Sequence, residues 1–356
     1  MQGTSVDERI ARRATVHDVA REAGVSLATV DRVLNGRPGV RPVTAEKVAD
    51  AIRSLDFRRD LSASLLARAR DLRVAFLIPD GRNEFMVNLE SAIARFTRPA
   101  KTERMTIETH HIKALDARAL AAALDALQSR SCDCAVIVAT DHELVRKAVD
   151  SASRRGIAVI TLVSDLPGSA RKHFIGIDNA AAGRTAASLL GRFCPPGKIG
   201  LIAGSLELRD HRERLDAFTG LMREEFPDHV LVGPLEGLDD NAATEKQAAA
   251  MLKKHPDLLG LYNFGAGNGG LLRALEKSGR ARHIRVIAHE LSAPTRKGLA
   301  SGEIDVVLDQ NPDGEIRAAL AAARALALGQ RADFQSEPIE IGIFLRDNLR
   351  QEGSPK

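Results

Sequence analysis

Two groups of side chains in this sequence have the types and spacing to do recognition chemistry. The first lies in SLATVDRVLN, where Leu27, Ala28, Asp31, Arg32 and Asn35 fall on the side of a helix opposite Val30, Val33 and Leu34. A guanidinium such as that of Arg32 can donate two hydrogen bonds to O6 and N7 of guanine, a contact worth about 1–3 kcal/mol of base discrimination. The alternative for Arg32 is a surface ion pair with Asp31 or Glu22. The second group recurs just after apolar stretches: Asp80 and Asn83, Asp141, Asp165, Ser205, Asn263, His289 with Glu290, and Gln310. Such side chains suit hydroxyl groups, each of which can both donate and accept a hydrogen bond.

The elements that must position the first group are short helices. VHDVAREAG puts Val16, Val19, Ala20 and Ala23 on one face at helical spacing, and Gly24 ends that helix. Val25 enters the core and Ser26 is a good N-cap for the next helix. Small Ala20 allows close approach, and Gly24 supplies the left-handed conformation that a short interhelical turn often needs. This is helix-turn-helix spacing. After NGRPGVRP, Thr44 is expected to cap TAEKVADAIRSLDF, whose Val48, Ile52 and Leu55 close a three-helix core. The expected organisation is a mobile arm at 1–14, a helical domain at 15–58, a hinge at 59–72 and a body at 73–356.

The body alternates apolar strands with helical stretches: RVAFLIPD, a helix about Asn88 to Phe96, CAVIVATD, GIAVITLVSD, KIGLIAGS, LLGLYNFG, HIRVIAHE and IDVVLDQ. NAAAGRTAASLLGRF and GGLLRALEKSG supply helices between them, so the sheet should be mainly parallel. So many strands imply two lobes with a cleft between them, and open α/β sheets bind ligands at the carboxyl ends of their strands. Phe85 and Phe264 could stack on a sugar face or simply fill core. Aromatic residues are 3% of the chain and Trp is absent, which favours a monosaccharide or polyol over a long glycan.

The formal charge is +4, and residues 1–73 hold 14 Lys+Arg against 10 Asp+Glu, so the excess is confined to the front of the chain. Cys132, Cys134 and Cys194 have no metal-site spacing and read as reduced structural thiols. With neither an apolar run of membrane length nor a signal-like start, a cytoplasmic protein with no membrane partner is expected. GAGNGG lacks the spacing and downstream acid of a dinucleotide site, and no G-x-S-x-G, H-E-x-x-H or phosphate-loop motif is present. Neither an enzyme nor a cofactor is expected.

The run TVHDVAREAGVSLATVDRVLNGRPGVRPVTAEKVADAI resembles the head of the lactose-repressor (LacI/GalR) family, without gaps. The resemblance implies that Thr15 and His17 belong to the DNA-binding set, that Ser26 and Thr29 help hold phosphates, and that Leu27, Ala28 and Arg32 read bases while Asn35 closes the motif. Asp31 stands where that family usually has Ser, and a carboxylate there repels phosphate or accepts from a cytosine amine. Aligning A-S-L-L-A makes Leu66 the hinge leucine that wedges into the minor groove, with Ala63 one turn earlier; the alternative is that Leu65 and Leu66 pack against the body. RRD at 58–60 replaces a common Pro-Asn pair, which moves the hinge cap to Asp60 or Ser62.

The rest of the chain is similar to a two-lobed type I periplasmic sugar-binding protein, through GIDNAAAGRTAASLL and RERLDAF. That likeness makes Arg214 the effector-contacting arginine, although Ala217 replaces the usual Gly of R-L-x-G-F. It puts Asn263 and Asn268 where many relatives carry an acid, and Asp178 and Asn179 at the lobe crossover. What it implies overall is a homodimer on a pseudopalindromic DNA operator, a repressor switched by a small carbohydrate or polyol that closes the cleft. A body that only dimerises, a non-sugar ligand, or a transport-type binding protein are the competing readings.

Overall fold

The computed structural model describes residues 15–34, 39–55, 71–81, 83–328 and 339–349. The arm, Asn35, residues 59–70 of the hinge with Ala63 and Leu66, and the last residues lie outside the described ones.

The head contains α1 (Val16–Glu22), α2 (Leu27–Leu34) and α3 (Pro42–Ser54). Val19, Val30 and Val48 are fully buried where the three helices meet, with Ala20 and Ala51 filling between them and Val16, Val33, Ile52 and Leu55 packed around. Gly24 adopts φ +64, a left-handed turn that a Cβ would strain, and the Val25 N–H reaches back to the Ala20 carbonyl at 3.0 Å. One expectation fails here. α3 starts at Pro42 with Arg41 as an N-cap that offers no side-chain bond, so Thr44 lies inside the first turn. Proline at the first helical position has the helical φ already set and lacks a donor that would otherwise go unpaired, so it starts the helix without a hydroxyl cap.

The body holds two sheets. The first is built from β1 (Leu72–Pro79), β2 (Met105–Ile112), β3 (Cys134–Ile137), β4 (Ala158–Leu162) and β5 (His173–Ile175), all parallel, in the order β2-β1-β3-β4-β5. Its helices are α4 (Glu84–Thr102), α5 (Ala117–Ala126) and α6 (Glu143–Arg154). The second sheet runs β11-β10-β9-β8-β6-β7, from β6 (Lys198–Ala203), β7 (Val230–Glu236), β8 (Leu258–Asn263), β9 (Arg285–His289), β10 (Val306–Asp309) and β11 (Gly342–Phe344). β11 alone pairs antiparallel. Around it lie α7 (Asn179–Phe193), α8 (Arg209–Glu225), α9 (Asn241–Lys254), α10 (Asn268–Lys277) and α11 (Ala293–Ser301).

Central strands are apolar on both faces because helices cover both; β3 is buried throughout. Edge strand β2, MTIETHHI, is half-buried or exposed after the buried Met105. The last helix, α12 (Pro312–Ala327), follows β10 of the second sheet yet packs on the first lobe, where Asp313 pairs with Arg95 of α4 at 2.6 Å and Arg317 lies 5.8 Å over the Phe96 ring. The chain thus passes between lobes after β5, after β10 and again before β11, where Ile339 bridges Ile177. No helix among the described residues is long and apolar enough to cross a membrane.

Candidate functional site

On the head, Thr15 caps α1: the Asp18 N–H donates to its hydroxyl oxygen at 3.3 Å, and the Asp18 carboxylate accepts from the Thr15 N–H at 2.9 Å. Ser26 does the same for α2, accepting from the Thr29 N–H at 3.2 Å with the two hydroxyls 2.9 Å apart. Leu27 is 42% exposed, and Ala28, Asp31 and Arg32 are exposed beside it, while Val30 on the opposite face is fully buried. His17 is exposed on α1 and Thr29 is half-buried. A helix whose one side is wholly spent on the core and whose other side carries Leu, Ala and Arg into solvent is built to be read from outside.

In the body the strand ends of both sheets face a common cavity. Its outer part, about 290 Å³, is lined by Asp80, Asn83, Met86 and Leu115 of the first lobe and by Leu208, Leu238 and Asp239 of the second. Its inner part, about 30 Å³, shares Asn83, Met86, Leu208 and Asp239 and ends on Phe85, Asp210, His211, Arg214, Glu290 and Gln310. Each of those last six is at most 5% exposed. Five of the seven non-glycine residues with positive φ among the described residues, Leu115, Val163, Leu238, Asp239 and Glu290, line this cavity. Left-handed backbone at such residues costs about 1–3 kcal/mol each and is tolerated where surrounding structure imposes it, often at ligand sites.

Arg214 is held on three sides. Its Nε donates to Asn179 Oδ1 at 2.9 Å, its Nη1 to the Phe264 carbonyl at 3.0 Å, and its Nη2 lies 3.8 Å from Asp210 Oδ2 one turn earlier on α8. Asn179 is the first residue of α7, and Gly183 one turn along lets α7 meet α8: a Cβ there would sit 2.3 Å from the Arg214 carbonyl oxygen. This explains the small residues of NAAAGRTAASLL. Gln310 Nε2 donates to Glu290 Oε1 at 2.5 Å, which leaves its own Oε1 and Glu290 Oε2 without partners. Burial, then the nearby Asp309 charge, pushes the Glu290 carboxyl up to about 8. Burial and the Glu290 charge hold the Glu315 carboxyl of α12 well above its ordinary value, with both oxygens unpartnered.

Of the expected cleft residues, Asn83, Phe85, Arg214, Glu290 and Gln310 reach the inner cavity and Asp80 the outer one. Asn83 also caps α4, accepting from the Phe85 N–H at 2.9 Å. Asn263, Asn268 and His289 instead form a buried layer away from its lining: Asn263 Nδ2 donates to Asn268 Oδ1 at 2.8 Å, Asn268 Nδ2 to the His289 carbonyl at 2.9 Å, and His289 Nε2 lies 2.8 Å from the Tyr262 hydroxyl. Burial, then the Arg214 charge, holds the His289 imidazole well below its ordinary value, so it stays neutral. Asp141 and Asp165 do not line the cavity, because arginines claim them: Asp141 pairs with Arg146 and Arg212, and Asp165 accepts from Arg171 at 2.6 Å. Sequence reasoning missed Asp210 and His211, although Asp210 stands four residues before Arg214 on the same helix face. The glycines of GAGNGG serve packing: a Cβ on Gly265 would lie 2.1 Å from the Gly204 nitrogen, and one on Gly270 would lie 1.8 Å from the Asn241 carbonyl oxygen.

Comparison with known proteins agrees with both halves. The model for bacterial regulatory proteins of the lacI family matches residues 15–60, and that for a periplasmic binding protein domain matches residues 74–331. The body belongs to the periplasmic binding protein domain family, and the head matches the lacI-family model. Catabolite control protein A of Priestia megaterium is 46% identical over 79 residues, 22% of this chain and 24% of that protein. RegA of Clostridium saccharobutylicum, an HTH-type transcriptional regulator, is 46% identical over 71 residues, 20% of this chain and 21% of that one. The chain therefore aligns with about a quarter or less of the length of these relatives. Among solved structures, a solute-binding protein of Burkholderia graminis in complex with D-arabinose superposes with TM-score 0.72 at 23% identity, covering 79% of this chain and 97% of that one. The glucose-galactose binding protein GanP of Geobacillus stearothermophilus gives 0.71 at 20% identity, covering 79% and 100%. They share the two-lobed α/β fold of this body.

Proposed function

We propose that the protein is a sequence-specific DNA-binding transcription regulator, a repressor, whose operator affinity is set by a small carbohydrate or polyol bound between the lobes of its body. The observation that carries this reading is the buried Arg214–Asp210–Glu290–Gln310 group at the end of the interlobe cavity, in a chain whose head presents an exposed recognition face on α2. Burying charged groups with open hydrogen-bonding positions is costly and is offset when a ligand fills them. On DNA, Arg32, Leu27 and Ala28 read base edges and the capped start of α2 with Ser26 and Thr29 meets phosphate, with Thr15 and His17 near the same backbone. Leu66 and Ala63 act as the hinge elements that the family resemblance implies. The active form is a cytoplasmic homodimer on a pseudopalindrome, and the reading includes no catalysis and no cofactor.

Effector and operator bias the same two-state molecule, so each alters the other's affinity, typically by about 1–3 kcal/mol. The test is titration of full-length protein onto a selected operator duplex, with and without monosaccharides and polyols. An effector-dependent change in operator affinity is expected for the wild type, and Arg214→Met should keep operator binding while losing that change. Operator binding that ignores every sugar and polyol, in wild type and variant alike, refutes the effector half; sequence-blind binding refutes the DNA half.

A further inference from the structure

The inner cavity is chemically lopsided. Its unpartnered buried atoms are mostly acceptors: Asp210 Oδ1, Glu290 Oε2 and Gln310 Oε1, against Nη2 of Arg214 and the Ser164 hydroxyl. Its charges are unequal too. Asp210, Asp239 and Glu290 face it with Arg214 as the sole Lys or Arg among its described lining residues, and the guanidinium has two of its three nitrogens committed to Asn179 and Phe264. Asp239 Oδ1 accepts from the Ala266 N–H at 2.8 Å, whereas Asp210 Oδ1 and the Glu290 carboxyl oxygen Oε2 stay open.

A neutral sugar can fill such positions with hydroxyl groups but brings no charge to offset Asp210 and Asp239, which the single Arg214 guanidinium does not balance. A phosphate or carboxylate on the ligand would add like charge in a low-dielectric site. A protonated amine supplies up to three donors and the missing positive charge at once. Resting on the reading of the cleft as a carbohydrate or polyol site, we infer that the effector carries a cationic nitrogen seated against Asp210 and Glu290: an amino-substituted monosaccharide or polyol, not a sugar acid or sugar phosphate. The competing arrangement has Glu290 keep its proton and donate it to an oxygen of a neutral sugar.

The groups facing Glu290 are Asp309 of β10, Gln310 beside it, Glu315 of α12, and Arg214 and Asp210 of α8. In this setting Glu290 holds its proton up to about pH 8, so seating a cation beside it at pH 7 releases that proton. Keeping the proton for a neutral sugar releases none.

The experiment is calorimetry on full-length protein at pH 7, in two buffers of different ionisation enthalpy, with glucosamine, galactosamine and mannosamine, their neutral parent hexoses and the hexose 6-phosphates. Expected is at least one amino sugar binding ten-fold or more tighter than its parent, with proton release, and no binding of the phosphates. Glu290→Gln should narrow that preference to within about three-fold, and Glu290→Asp should retain it. Neutral parents that equal or exceed their amines, or amines that bind without proton release, overturn this inference and leave the carbohydrate reading standing. A panel in which nothing binds, combined with operator affinity that no sugar or polyol alters, removes both.

Discussion

At the residue scale, Arg32 and Glu290 illustrate two different kinds of legibility. Arg32 could be placed from periodicity, because Val30 and Val33 take the opposite side of one short helix and leave it exposed. Its expected effect is local: Arg32→Ala should relax the base preference at one symmetric position of the operator by about 1–3 kcal/mol, read by selection from random duplexes. Equal loss across all sequences would mean that it contacts only phosphate. Glu290 was legible as a polar residue after a strand, but not as one with a shifted proton, since that depends on burial and on Asp309 across the strand turn. The unfolded carboxyl loses its proton near its ordinary value of 4.5, whereas the folded one holds it to about 8. Between those values the unfolded state binds fewer protons, so this group makes stability fall as pH rises, by up to about 1.4 kcal/mol per pH unit. Its contribution is fully present below the lower value. Melting curves of the body across pH 5–8 should be flatter for Glu290→Gln than for the wild type; parallel curves would show that Glu290 ionises freely when folded.

At the element scale, the buried strands were readable and the edges were not. CAVI, KIGLIA and RVIAH are nearly continuous apolar runs, as strands covered on both faces must be. β2, β5, β7 and β11 escaped because each is an edge strand: β2 mixes polar with apolar residues, β5 and β11 are three residues long, and Gly233-Pro234 interrupts β7. α4 proved longer than the expected stretch from Asn88 to Phe96, since Asn83 caps it five residues before Asn88 and it runs on to Thr102. Helix pairing also escaped, although it decides where Arg214 sits. The Gly183 contact makes this testable: Gly183→Val must push α8 away from α7, with an overpacking cost of about 1–3 kcal/mol. The melting temperature of the body should drop and effector affinity should fall about ten-fold, while the isolated binding of operator without effector is kept. Unchanged effector affinity would show that α8 can shift without disturbing the guanidinium.

At the scale of the whole molecule, two lobes, mainly parallel strands and a cleft at the strand ends follow from βαβ alternation plus the rule that strand ends gather ligands, whereas the strand order and the passages between lobes do not. What alternation could not show is which polar strand-end residues turn into the cavity and which are consumed nearby. Asp141 is the clearest instance. It adjoins Thr140 of the outer cavity on the first lobe, yet pairs with Arg212 of the second, one turn beyond the lining residue Leu208. A second link, Asn241 Nδ2 to Glu84 Oε1 at 2.8 Å, joins the lobes beside Asp240 and Asn83, two more lining residues. If the cleft holds the effector as proposed, release requires these links to part, and affinity differences in such sites reside mainly in dissociation. Asp141→Asn should shorten effector residence, measured by stopped-flow release, with little change in the association rate. In the proposed regulator the clasp then acts as a timer: it sets how long the response outlasts its signal in the surroundings.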